Sequence, residues 1–318
     1  MDDKKIIYKD LNPVRIDIFL AQELNKSRSF IKKIFDENKI LLNDKIVTKL
    51  GQLLKFNDEI KINLENNISK SAIQELLNWE NLDWTKIKIV YEDNYFLIID
   101  KPKNILVYPD RFNEEITIAH YLKKYFNISN IKIDFDDLIR MGIVHRLDRN
   151  TTGTLLIAKS QLVYDKFKKM FSSNEIQKQY FCLVNNCFNE QDKSFKLETT
   201  IGRSFDNSYK MIVNGGKNQK IAISIINLVR NIGNKHSLVS CKLITGRTHQ
   251  IRAHMKYINH PIVNDGIYGI EKKVTNFGQY LHCYSLVFNH PISSKKIAII
   301  LDIPKYFKDK INQLEDEN

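Results

Sequence analysis

The sequence predicts an α+β protein in which a large domain with a mixed, mainly antiparallel central sheet follows a small α/β unit. Three observations carry this reading. From residue 87 to 318, strand-like segments alternate with occasional helical ones, the pattern of a sheet covered by a few helices. Residues 13–62 hold a helix–helix–hairpin order of their own. Between the two, residues 63–86 are Asn-rich, with one short helix-like piece around 73–77, and read as a linker. At 318 residues the chain is long enough to bury two cores.

In the small unit, residues 14–21 are amphipathic at helical spacing. A second helix follows Ser27, with Ile31, Ile34 and Phe35 on its apolar face and Arg28, Lys32 and Lys33 pointing elsewhere. Strands at 40–42 and 45–47 flank Asn43-Asp44, a pair suited to a two-residue hairpin turn. In the large domain, helices are expected at 116–126 and 162–171. Residues 141–144 read as a short buried strand, and 154–158 as another, closed by Lys159. Residues 178–184 alternate, with Tyr180, Cys182 and Val184 on one face and Phe181 and Leu183 on the other. Residues 243–255 read as a strand end, a turn at Gly246, a cap at Thr248 and a helix that carries Arg252.

Lys and Arg number 49 against 37 Asp and Glu, giving a net charge of +12. That balance favours a polyanionic partner, either RNA or an anionic membrane. RNA is the better fit, because no apolar run approaches the ~18 residues of a spanning helix. The opening Met1-Asp-Asp-Lys-Lys has no apolar region of a signal peptide, so a cytoplasmic location is expected. The four cysteines form no C-x-x-C pair and have no histidines at zinc spacing, so neither a disulfide framework nor a metal site is expected. Cys182, Cys241 and Cys283 sit in apolar or alternating stretches, where reduced core thiols belong.

The most informative stretch runs from His145 to Gly153, His-Arg-Leu-Asp-Arg-Asn-Thr-Thr-Gly. It sets one carboxylate, Asp148, on a tight turn between two apolar segments, with Asn150 and Gly153 accounting for the bend. Alone, such an Asp reads as a solvated turn residue. Its surroundings change that: GIVHRLDRNTTGTLLIAKS, KQYFCLV, LITGRTHQIRAHM, HPIVNDGIYG and YLHCYSLVFNHP follow one another after the opening segment IVYEDNYFLIIDKP. Together these segments resemble the RluA-type pseudouridine synthases, which isomerise uridine in ribosomal and transfer RNA. Residues 13–62, with ten Lys and Arg against seven Asp and Glu, resemble the αL-type RNA-binding module of a small-subunit ribosomal protein and some tRNA synthetases.

The resemblance implies a pseudouridine synthase fold over 87–318, an RNA-binding module at 13–62, and no cofactor. It assigns Asp148 as the catalytic carboxylate, Arg252 as the cation paired with it, Tyr180 as the ring that lies against uracil, and Arg146 as a residue used at the flipped site. A guanidinium can hold a carboxylate through two parallel bonds and offset the desolvation that would raise its pKa. His145 is expected to be structural, and His249, His254 and His282 to have supporting roles. In the N-terminal module, Arg28, Lys32 and Lys33 are expected to follow the phosphate backbone.

The family commonly has Gly where this chain has Asn38, Asp44, Asn57, Asn104 and Asn264, and His where it has Tyr108. Asn and Asp tolerate φ > 0 best among non-Gly residues, so the backbone can be kept. The expected substrate is large-subunit ribosomal RNA, with tRNA second, and the expected state is a monomer. A noncatalytic RNA-binding or ribosome-assembly factor of the same fold is the alternative. Glycoside or nucleoside hydrolysis is disfavoured because it calls for two carboxylates and the motifs supply one.

Overall fold

The computed structural model describes residues 4–24, 28–36, 40–62, 87–109, 116–132, 135, 140–189, 191, 193–206, 209–270, 275 and 278–317. The linker at 63–86 and its helix-like piece lie outside them, as does Asn38. The chain divides into two compact units, residues 1–79 and 80–318.

The first unit holds β1 (Lys4–Ile7), α1 (Ile16–Glu23), α2 (Arg28–Asp36), β2 (Ile40–Leu42), β3 (Lys45–Ile46) and β4 (Glu59–Ile62). Its sheet has the order β1-β4-β2-β3 and is antiparallel throughout. β1 lies ahead of the residue-13 start read from the sequence. Ile16, Leu20, Ile31 and Ile34 on the helices pack against Ile40, Ile60 and Ile62 on the strands, so the helical spacing and the strand alternation meet in one core. The β2–β3 turn places Asn43 and Asp44 at φ 50° and 62°. A two-residue turn needs both central residues left-handed to match strand twist, and Asn-Asp supplies them without glycine.

Among the described residues, the second unit is one ten-stranded sheet with four helices. Its elements are β5 (Lys88–Glu92), β6 (Phe96–Lys101), α3 (Ile118–Ile128), β7 (Thr152–Ala158), α4 (Gln161–Ser172), β8 (Gln177–Asn185), β9 (Ser194–Arg203), β10 (Met211–Val213), β11 (Lys217–Ile232), β12 (His236–Leu243), α5 (Gln250–Tyr257), β13 (Leu281–Asn289), β14 (Lys296–Ile300) and α6 (Lys305–Asp316). The order is β10-β9-β11-β12-β8-β13-β7-β6-β5, with β14 paired to the far half of β13. Every pairing is antiparallel except β13 with β7, so the sheet is mixed and mainly antiparallel.

Helices cover both faces. Tyr180, Cys182 and Val184 of β8 join the cluster under α3 and α5, while Phe181 and Leu183 meet Phe307 and Ile311 of α6. α4 lays Val163 and Phe167 on Phe96, Ile98 and Leu156. Because both faces are covered, β7 is buried along its whole length, and its second half, Leu155 to Ala158, is continuously apolar. Among the described residues, no helix is long and apolar enough to cross a membrane.

Two local expectations are corrected. Residues 141–144 form no strand, because Met141 and Gly142 sit at φ 47° and 76° and only Ile143 bridges to Ile157. The chain turns so tightly there that a Cβ on Gly142 would lie 2.2 Å from the Ala158 carbonyl oxygen. The cap of α5 is His249, in the left-handed region at φ 53°, and not Thr248. Among the described residues no side chain caps the helix; the Gln250 side-chain oxygen instead ties the helix to the segment ahead of it, accepting from the Arg247 amide at 3.0 Å and the Thr245 hydroxyl at 2.9 Å.

Asp44, Asn57, Asn104 and Asn264 stand where a glycine would ease the backbone, and all four have φ between 59° and 66°. The left-handed region costs roughly 1–2 kcal/mol for an ordinary L-residue, and Asn evades part of that by local hydrogen bonding. At the exposed Asn104, substitution by Gly should leave urea stability nearly unchanged, whereas Asn104→Val should lower it by about 1–2 kcal/mol. Equal stability of the two variants would remove the backbone explanation.

Candidate active site

The turn at 148–151 is closed by the Thr151 amide donating to the Asp148 carbonyl at 3.0 Å. Lys101, fully buried at the end of β6, aims its ammonium at the carbonyl oxygens of Pro102, Arg149 and Thr151, at 2.9, 2.9 and 3.0 Å. Burial pulls its pKa down to about 7, against the attraction of Asp148. Three carbonyl acceptors matched to three N–H donors favour the charged form. On the other side, Gln279 donates to the Thr151 hydroxyl at 3.1 Å. β7 approaches β13 so closely that a Cβ on Gly153 would lie 2.1 Å from the Cys283 carbonyl oxygen. Asp148 therefore sits on a turn fixed by strands on both sides.

α5 brings the cation. Arg252 is 6% exposed and Asp148 19%, with Nη1 donating to Asp148 Oδ2 at 3.0 Å. The two parallel bonds expected toward Asp148 run instead to Asp265, from Nε at 2.7 Å and Nη2 at 2.8 Å. The guanidinium has two donor edges, and the fully enclosed carboxylate of Asp265 takes the bidentate one. The same Asp265 accepts from the amides of Ile267 and Tyr268. The Tyr268 ring lies 5.3 Å from the guanidinium carbon and its hydroxyl meets His249 Nδ1 at 3.2 Å. His249 Nε2 is 3.8 Å from Asp148.

These neighbours set the charges. Burial alone would raise the Asp148 carboxyl, but His249, Arg252 and Arg146 outweigh it and the pKa is lowered. Burial also lowers His249 itself, against the attraction of Asp148, so the His249 charge helps Asp148 mainly in the acid range and Arg252 is the cation that remains as the pH rises. For Arg252, burial works against ionisation, and the hydrogen bonds and charge of Asp265, followed by the charge of Asp148, raise the pKa. Tyr180 is buried and its pKa is raised well above 10, so it is a neutral phenol.

Asp148, Arg252, Tyr180, Arg146, Lys178 and Tyr108 all line one cleft of about 710 Å³, a volume suited to a nucleotide-sized group. Arg146 is exposed at its lip and stacks on Tyr108 with its guanidinium carbon 5.4 Å from the ring centre; Arg140 lies over the same ring at 5.4 Å. His145 is structural, its Nε2 accepting from the Leu156 amide at 3.1 Å. His254 and His282 are buried, and burial lowers each to about 4. Among the described residues, no group of His, Cys, Asp or Glu is arranged to hold a metal ion. Arg28, Lys32 and Lys33 lie on α2 of the first unit; Lys32 is exposed, and the side chains of Arg28 and Lys33 fall outside the described set.

Sequence reasoning missed Asp265, Tyr268, Lys101 and Lys178. Asp265 and Tyr268 both lie in HPIVNDGIYG, but Asn-Asp-Gly reads as a turn, and nothing local signals an arginine thirteen residues earlier. Asp265 does not restore a two-carboxylate hydrolase, since its oxygens are occupied by Arg252 and two amides inside the protein.

Residues 95–257 match the RNA pseudouridylate synthase family and residues 14–60 the S4 domain. The chain is 33% identical over 300 residues to ribosomal large subunit pseudouridine synthase D of Borreliella burgdorferi, covering 93% of this chain and 88% of that one. It is 31% identical over 305 residues to an RNA pseudouridine synthase of Helicobacter pylori, covering 92% and 89%. The solved human RNA Pseudouridylate Synthase Domain Containing 4 shares the fold at a TM-score of 0.59 and 18% identity, over 76% of this chain and 97% of that one. The chain belongs to the RNA pseudouridylate synthase family. It is an isomerase that converts uridine to pseudouridine in RNA, and it carries an S4 domain ahead of its catalytic unit.

Arg252→Lys keeps the charge and loses the fork that reaches two carboxylates at once. Single-turnover conversion of uridine should fall by about 10²-fold while the thermal transition stays cooperative. A wild-type rate in this variant would show that the planar geometry is unimportant.

Proposed function

We propose that Asp148 is the carboxylate that carries the isomerisation and that the substrate is large-subunit ribosomal RNA. One observation supports the first part above all: among the described residues a single carboxylate, kept ionised, faces a nucleotide-sized cleft and accepts one N–H from Arg252. The reaction breaks the bond from the base nitrogen to the sugar, turns the base and rejoins it through carbon. An ionised carboxylate can form a covalent intermediate on base or sugar, or remove a proton. Tyr180, a neutral phenol in the same wall, lies against the uracil ring. Arg146, braced on Tyr108 at the lip, fills the place of the uridine turned out of its stack, a step that costs about a few kcal/mol.

The choice of ribosomal RNA rests on the names of the relatives that match along most of the chain, with the S4 unit supplying further contact through Arg28, Lys32 and Lys33. A monomer acting in the cytoplasm completes the reading. Mapping pseudouridines in ribosomal and transfer RNA from cells lacking the gene tests the substrate: sites lost from tRNA alone would overturn it.

Asp148→Asn should reduce turnover on the order of 10⁴-fold or more with RNA affinity nearly unchanged, because it removes the charge and keeps the shape. Pseudouridine formed at more than a trace rate would take Asp148 out of the mechanism. Removing residues 1–79 should weaken RNA binding and flatten its salt dependence by about 0.7–0.9 in log–log slope for each phosphate no longer neutralised. An unchanged slope would mean that the first unit does not touch RNA.

A further inference from the structure

Asp148, Arg252 and Asp265 form a continuous chain of charge-assisted hydrogen bonds, and its three members have different freedom. Asp148 is partly exposed and faces the cleft. Asp265 has a side chain with no exposure at all. It meets Arg252 through both oxygens, at 2.7 and 2.8 Å, and two backbone amides hold it in turn, those of Ile267 at 2.9 Å and Tyr268 at 3.1 Å. A bidentate contact fixes the plane and rotation of a guanidinium, whereas the single 3.0 Å bond to Asp148 does not. Tyr268, whose amide Asp265 anchors, lies beside the guanidinium and accepts from the Met211 amide at 2.7 Å, tying the assembly to β10.

We infer that Asp265 is a positioning residue for uridine isomerisation: it locks Arg252 in the one orientation that presents Nη1 to Asp148 and leaves the rest of that carboxylate open to the target uridine. The inference rests on Asp148 as the reacting carboxylate. Asp265 acts only through Arg252, because it is enclosed and its oxygens are already occupied.

The sign of a pH shift separates positioning from charge. The groups that act on Asp148 are Arg252 and His249 at α5, Arg146 on its own loop, Lys101 from β6, Tyr180 on β8 and Tyr268, and Lys178 of β8 lines the same cleft. If Asp265→Asn only removed a negative charge and left Arg252 in place, the Asp148 pKa would fall further. If Arg252 swings away, Asp148 keeps its desolvation, loses its partner, and its pKa rises.

The experiment measures single-turnover rate against pH, KM and thermal unfolding for full-length wild type, Asp265→Asn, Arg252→Lys and the double variant, on a ribosomal RNA fragment carrying the target uridine. The expected result is a fall in rate of about 10²-fold for Asp265→Asn with KM little changed. The acid limb should move to higher pH, and the double variant should be no slower than Arg252→Lys alone. The same shift should persist in a His249→Asn background, which removes that ring's titration. Additive losses in the cycle, or an acid limb that stays or moves lower, would overturn the inference. If Asp265→Asn does not fold, Asp265→Glu, which keeps the charge but displaces the guanidinium, takes its place in the cycle with the same expected non-additivity. An active Asp148→Asn would defeat the assignment of the reacting carboxylate itself, whereas an inactive one beside an additive cycle would defeat only the role of Asp265.

Discussion

A carboxylate kept ionised inside a cleft must be faced by a cation that burial cannot neutralise. The surroundings of Asp148 show why that cation is an arginine. Burial pulls the Lys101 ammonium to about 7 and lowers Lys178 as well. In the same region Arg252 moves the other way, because Asp265 and Asp148 more than offset its desolvation. A lysine in its place would have one compact charge to divide between two carboxylates, whereas the guanidinium serves each with a separate edge. The left-handed start of α5 and the buried run from Gln250 to Met255 follow from bringing that side chain into the sheet.

The sheet holds the other half of the pair. Asp148 lies on an irregular turn, yet the turn is tied to β6 through Lys101 and to the segment entering β13 through Gln279, so a loop residue has the placement of a strand residue. Helices on both faces keep these central strands dry. The cleft opens beside the turn, so Asp148 faces the cleft while its supports remain inside the protein.

Much of this was legible in the sequence where the signal is local. Alternation in 178–184 placed Tyr180 on the correct face, Asn43-Asp44 announced its hairpin, and the Asn and Asp residues standing in for glycine mark left-handed backbone. The motifs suggested that Asp148 and Arg252 meet. What stayed hidden depends on partners far along the chain. Asp265 looks like a turn residue until the fold places it under Arg252, and Lys101 looks like a strand end until three carbonyls converge on it. The apolar run at 141–144 misled because it packs as a strand does while its backbone turns at Met141 and Gly142.

The parallel pairing of β7 with β13 joins residues about 130 positions apart, with Thr152 opposite His282 and Gly153 opposite Cys283. Contacts so distant in sequence are slow to form, because a long loop must close before they can stabilise anything. On a growing chain the turn bearing Asp148 is made early, but Gln279 and β13, which fix it, emerge only when the catalytic unit is nearly complete. Arg252 and Asp265 also arrive late. An unfinished chain therefore carries the carboxylate without the scaffold that aims it, and the site comes into being as one of the last events in the folding of the unit.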